Sequence, residues 1–220
     1  MNFSNKLKLC APKPARTQSP KPLYASIFRM TEQEDIKRRI DKMTEIIILT
    51  RTSLSDIEYI FNSLKDRGPT KYDKLFSRLW NALWYHVIIE SAKLFDSGRQ
   101  GYFGFKKLNN LIANNYQQLS WKTKPTLGEI NNRFEQFYTD PRIKAVVATL
   151  KTARDEHFAH SDLLPTNFEV KSEEIKYFLD KSGELINFNC IYLFDYQQHF
   201  DLSKSDLQQC FLEPLLSDNK

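Results

Sequence analysis

The sequence predicts an all-α protein, a bundle of four principal helices with short additional helices. Three observations carry that reading. Six glycines in 220 residues are too few for the many tight turns of a β-rich chain. Long stretches repeat apolar side chains at steps of three and four residues. Helix-start signals, a threonine or aspartate followed by acidic residues or proline, precede several of those stretches.

The first helix begins at "MTEQEDI". Thr31 offers a capping hydroxyl, and Glu32, Glu34 and Asp35 suit the positive end of the helix dipole. Ile36, Ile40, Met43, Ile47, Thr50, Leu54, Ile57, Phe61 and Leu64 then mark one face. The helix runs over about 32–66, and "RGP" ends it. A second, from about Tyr72 to Phe95, carries Leu75, Leu79, Ala82, Leu83, His86, Ile89 and Leu94. The glycine-rich "DSGRQGYFG" stops it. A shorter helix covers about Lys106–Gln118.

"TKPTLGEI" opens the next helix. Thr126 and Glu129 stand three residues apart, as a capping box requires. "TDPRIKAV" restarts the helix, with Asp140 as cap and Pro141 in the first turn, where its missing N–H costs nothing. Ile143, Val146, Val147 and Leu150 continue it into "ARDEHFAHSD", residues 153–162. "SDLLPTN" is a loop. Residues 172–196 read as a helix through Ile175, Phe178, Leu179, Ile186, Ile191 and Phe194, although "INFNCIYLF" taken alone would pass for a strand. A short helix from Ser203 closes the chain. No repeats are present.

Charge divides the chain in two. Residues 1–30 hold Lys6, Lys8, Lys13, Arg16, Lys21 and Arg29 and no acid. The remaining 190 residues hold 26 basic against 27 acidic groups. The pI near 9.0 therefore comes from the leader, and any nucleic-acid site in the body must be a local patch. "APKPARTQSPKP" is aperiodic and rich in proline, so residues 1–30 read as a disordered basic arm and 31–220 as a single helical domain. Cys10, Cys190 and Cys210 fit neither a disulfide framework nor a zinc motif and read as reduced thiols. No apolar run is long enough to span a membrane, and no signal peptide is evident, so the expected location is the cytoplasm.

"ARDEHFAHSD" crowds six ionisable groups into ten positions. On a wheel with Leu150 at zero, Ile143, Val146 and Val147 fall within about −40° to +60° and define the packed face. Arg154 falls at about +40°, His157 at about −20° and His160 at about −80°, whereas Asp155 and Glu156 point elsewhere. Three readings fit an inward arginine with two histidines. A metal site has a usable i, i+3 histidine pair but no evident third ligand. A structural arrangement would use His157 to fill a core gap and pair Arg154 with Glu90 or Asp96. A catalytic pair would let the histidine move protons while the permanently charged arginine holds a phosphorane, as phosphodiester transfer in RNA requires. His86 and Glu90 share a helix face at i, i+4 and could line the same cleft, but a hydrogen-bonded core histidine is the commoner case.

Arg154, Asp155 and then His160, with five residues between arginine and histidine, resemble the signature of the HEPN superfamily of small helical ribonucleases. The strings "RDEHFAHSD" and "ESAKLFD" (residues 90–96) are similar to its abortive-infection branch. The resemblance covers about 32–200. It implies an endoribonuclease that needs no metal and no cofactor, in which two subunits place their motifs in one cleft. It implies His160 as general acid or base and Arg154 as the phosphate-stabilising group. Asp155 would orient the pair or the RNA, and His157 and Asp162 would be supporting residues. The implied partners are an RNA substrate, a second copy of the chain, and an antitoxin of unknown identity. In one toxin subgroup a tyrosine two places after the histidine is modified by the antitoxin. Asp162 stands there in this chain, so that control does not carry over. The alternative function is a non-catalytic helical module that dimerises or binds a partner or nucleic acid.

Overall fold

A computed structural model of the chain describes residues 31–65, 71–95, 103–159, 171–200, 205 and 207–212. Six α-helices follow one another: α1 (Glu32–Leu64), α2 (Asp73–Phe95), α3 (Phe105–Asn115), α4 (Leu127–Thr139), α5 (Pro141–Ala159) and α6 (Ser172–Phe194). A π-helical turn, Gln208–Leu212, comes after them. No strand occurs among the described residues. The chain is thus all-α, as its glycine content and periodicity predict. The basic arm and the Ser203 end of the closing helix lie outside the described residues.

The helix starts form where the local chemistry puts them. Thr31 Oγ1 accepts from the Glu34 N–H at 3.2 Å, and Glu34 Oε2 accepts from the Thr31 N–H at 2.7 Å. Thr126 and Glu129 repeat this box at 3.1 and 2.6 Å. In each box two backbone donors that helix geometry leaves without partners are satisfied. The threonine contacts hold the Glu34 and Glu129 carboxyls below their usual range.

α1 packs against α2, α3 and α6, while α5 packs against α2, α4 and α6. The core between them joins Ile36, Ile40, Met43, Ile47 and Leu54 of α1 to Val87, Ile88 and Leu94 of α2. Ile143, Val146, Leu150 and Ala153 of α5 meet Ile175, Phe178, Leu179 and Ile186 of α6 in the same cluster. Each fully buried aliphatic side chain contributes about 1.5–3 kcal/mol of transfer free energy. A smaller cluster of Ile60, Phe76 and Leu212 pins the π turn to the far end of α1.

Two expectations about faces are corrected. Phe61 is 58% exposed, and its neighbour Ile60 is buried instead. At this end of α1 the neighbours change: Ile60 enters the separate cluster with Phe76 of α2 and Leu212 of the π turn, so the packed side there is set by those partners and not by the stripe that begins at Ile36. In α2, Leu75 is 42% exposed, and Phe76, Trp84, Val87 and Ile88 are buried. At Phe76, Trp84 and Val87 the packed stripe lies one residue on from the expected Leu75, Leu83 and His86, whereas Leu94 is buried as expected. α2 carries large apolar groups on nearly every side, so periodicity alone leaves its rotation undefined.

"INFNCIYLF" is helical, and Asp195 closes α6 in the left-handed conformation at φ 61°. Asn189, a poor helix former, sits inside the helix because its Nδ2 donates to the Leu185 carbonyl at 2.7 Å. Gly183 permits the close passage of the following segment. A Cβ there would stand 3.1 Å from the Phe200 ring.

Candidate functional site

α5 positions the candidate residues, and its first turn is tied down from several directions. Asp140 Oδ1 accepts from the backbone N–H groups of Arg142 at 2.8 Å and Ile143 at 3.1 Å. Its Oδ2 accepts from the Tyr177 hydroxyl of α6 at 2.7 Å. Tyr177 foremost, with those N–H groups and the Arg142 charge, holds the Asp140 carboxyl below its usual range. Arg142 donates through Nε and Nη2 to the two oxygens of Glu174, at 3.1 and 3.0 Å, and stacks 3.8 Å from the centre of the Tyr177 ring. This corner sets the rotation of α5 against α6. The buried Ile143, Val146, Leu150 and Ala153 carry that rotation along the helix.

Arg154 is therefore presented where the wheel places it, on the flank of the packed face. Its side chain is 24% exposed. Nε and Nη2 donate to the same carboxylate oxygen, Asp155 Oδ1, at 2.9 and 2.8 Å. Adjacent residues on a helix point about 100° apart. The long arginine side chain bridges that angle by bending outward to the exposed aspartate. Asp155 is one of the partners of Arg154 and fixes the plane of its guanidinium. The result is a permanent cation, three-quarters withdrawn from water, on the flank of α5.

The other expected residues separate. The backbone of α5 runs as helix through His157 to Ala159. His160 and Asp162 lie outside the described residues, as does the His157 side chain, and so does Asp96, one of the two suggested partners of Arg154. The other, Glu90, is bonded to Lys93 one turn along its own helix. His86 is half-buried in α2, with Nδ1 2.9 Å from the Ser53 hydroxyl of α1. It is a hydrogen-bonded packing histidine that faces α1. The association of Arg154 with Asp155 is the feature the wheel did not reveal, because a wheel records where Cβ points and not how far a side chain reaches.

A groove of about 650 Å³ lies between α4, the start of α5 and α6, lined by Arg133, Phe137, Tyr177, Lys181 and Phe188 among others. Arg154 is not part of it. Ile143, its representative from α5, stands eleven residues earlier, about 16 Å along the helix axis. No group of three or more potential metal ligands occurs among the described residues. Of the cysteines described, Cys190 is buried and Cys210 exposed, and burial pushes the Cys190 thiol up to about 12.

The profile of the HEPN family AbiU2 matches residues 40–209, from the first turns of α1 into the π turn. The chain belongs to this HEPN family. The matched stretch takes in most of α1 and all of α2 to α6. No curated protein and no solved structure matches the chain. No helix among the described residues of this AbiU2 chain is long and apolar enough to cross a membrane.

Proposed function

We propose that this HEPN AbiU2 protein is a metal-independent endoribonuclease acting in phage defence or as a toxin. The observation that carries the reading is Arg154, a largely buried guanidinium oriented by Asp155 on the helix that leads to His160. An arginine keeps its charge at every accessible pH, and its planar N–H groups match phosphate oxygens. A histidine exchanges a proton near neutrality.

The reaction that uses both is an internal transesterification. The 2′-hydroxyl of RNA attacks the adjacent phosphorus and gives up its proton to a base. The bond from phosphorus to the 5′-oxygen breaks, and that oxygen takes a proton from an acid. The products are a 2′,3′-cyclic phosphate and a 5′-hydroxyl. His160 supplies one proton transfer, and a second copy of the chain supplies the other His160 across a two-fold axis. Arg154 stabilises the charge gathered on the phosphorane oxygens. Asp155 holds Arg154, and His157 and Asp162 support the site.

The test is cleavage of single-stranded RNA by the purified protein in excess EDTA, with Arg154→Ala and His160→Ala beside it. The expected result is metal-free cleavage leaving a cyclic phosphate, lost in both variants. Loss of cleavage on chelation would sink the metal-free mechanism. Equal activity in His160→Ala would remove that residue from it. If the protein cleaves no RNA and the variants change only stability, it is a non-catalytic helical module.

A further inference from the structure

α5 carries a charge imbalance that its packing does not need. From Pro141 to Arg154 it holds Arg142, Lys144, Lys151 and Arg154 and no carboxylate. Its first turn has no acid, whereas α1, α2, α4 and α6 each open with at least one. Cations in a first turn face the positive end of the helix dipole and weaken the helix. Glu174 offsets Arg142. Asp155 pairs with Arg154. The side chains of Lys144 and Lys151 are exposed and make no ion pair or hydrogen bond among the described residues. Lys42, Lys93, Lys176 and Lys181, by contrast, all have carboxylate partners.

The two lysines and Arg154 lie along one flank of the helix. With Leu150 at zero, Lys144 falls at about 120°, Lys151 at about 100° and Arg154 at about 40°. Lys144 and Lys151 are about 10.5 Å apart along the axis, and Arg154 is about 4.5 Å further on. The exposed residue between the lysines nearest this side is Ala148, at about 160°, too small to hold a ligand away from the helix. The flank therefore carries two uncommitted lysine charges and ends at the Arg154 guanidinium, with its partner Asp155 beside it at about 140°. That pattern fits a chain of phosphates better than a surface for apolar contact.

We infer that Lys144 and Lys151 form a phosphate-tracking row that leads single-stranded RNA along α5 to Arg154. This rests on the ribonuclease reading and adds to it the path of the substrate and two positioning residues. Neither lysine touches the reacting atoms.

The experiment measures binding of a fluorescent 2′-O-methyl RNA oligonucleotide, which has no 2′-hydroxyl to attack, by anisotropy across a salt series. The full-length protein is compared with Lys144→Gln/Lys151→Gln and with a charge-matched control, Lys42→Gln/Lys181→Gln. Each single-strand phosphate contact contributes about 0.7 to the slope of log affinity against log salt. The double variant should lower the slope by about 1.4 and raise KM for RNA cleavage with kcat unchanged. The control should keep the wild-type slope. All four sites are exposed or half-exposed, and melting curves confirm that the variants fold. Equal slopes for the wild type and the α5 variant would overturn the row while leaving cleavage, measured in parallel, to judge the nuclease. A slope that falls as expected in a protein that cleaves no RNA would overturn the nuclease reading and keep the row. Equal slope losses in both double variants would reduce the effect to overall charge and overturn the row.

Discussion

The two ends of α5 use the same chemistry, arginine with carboxylate, to different purposes. At the start, besides the Asp140 cap on the first-turn N–H groups, two side-chain contacts cross to α6: Asp140 with Tyr177, and Arg142 with Glu174. Near the other end, Arg154 is held by Asp155, its immediate neighbour in the chain. A pair that bridges two helices restrains their relative position. A pair between adjacent residues restrains only the arginine. It is also partly exposed, a class worth about 0–1 kcal/mol. The first end secures the helix, and the second orients a charge.

The largest effect expected from this contrast is on activity at the distal end. Arg154→Ala and His160→Ala should each lower the RNA cleavage rate by about 10²–10⁴-fold, the range of a positioned acid, base or charge stabiliser. Thermal melting of Arg154→Ala should stay close to wild type. A large loss of melting temperature would make Arg154 a structural group and erase the distinction between the two ends.

Between the ends, Leu150→Ala should cost about 2–5 kcal/mol of stability, because a fully buried side chain leaves a cavity. Denaturant titration measures this, and activity per folded molecule should change much less than in Arg154→Ala. At the first turn, Asp140→Ala should cost about 0.5–2 kcal/mol through the lost cap, with Tyr177→Phe costing less. Both should leave cleavage near wild type below their melting temperatures. If Asp140→Ala abolished cleavage in folded protein, the start of α5 would belong to the site.

The smallest effect concerns acid. The folded-state carboxyl of Asp140 lies below its ordinary value, as do those of Glu34 and Glu129. Each therefore contributes stability that is present above the unfolded pKa, about 4, and is lost as pH falls through the lower folded value. Melting temperature should decline gently below about pH 4, and the decline should be shallower in Asp140→Asn. An unchanged acid slope in that variant would show that Asp140 contributes nothing through its charge.

Much of the bundle was legible because its signals are local. Thr31 with Glu34, Thr126 with Glu129, and Asp140 before Pro141 act within three residues, and each starts a helix where expected. "INFNCIYLF" was ambiguous in isolation because both periods fit so short an apolar run. It resolves as helix through its place in a 23-residue element whose other turns are buried. The site was partly legible. The flank position of Arg154 follows from the spacing of Ile143, Val146 and Leu150. The Arg154–Asp155 contact and the pairing of Glu90 with Lys93 do not, since side-chain reach leaves several partners within range. The row of Lys144 and Lys151 did have a sequence signal, the absence of any acid between Asp140 and Asp155.

By itself the sequence determined the helices, most of their boundaries, and the flank of α5 on which Arg154 stands. Capping, proline placement and 3.6-residue periodicity are set by neighbours along the chain. Only the tertiary structure decided which side of α2 is buried, why Ile60 and not Phe61 enters the core, and which carboxylate each cation takes. Those choices depend on what another helix presents across the interface. A helix that is apolar on nearly every side, or a cation with several carboxylates in reach, has no preference until that partner is in place.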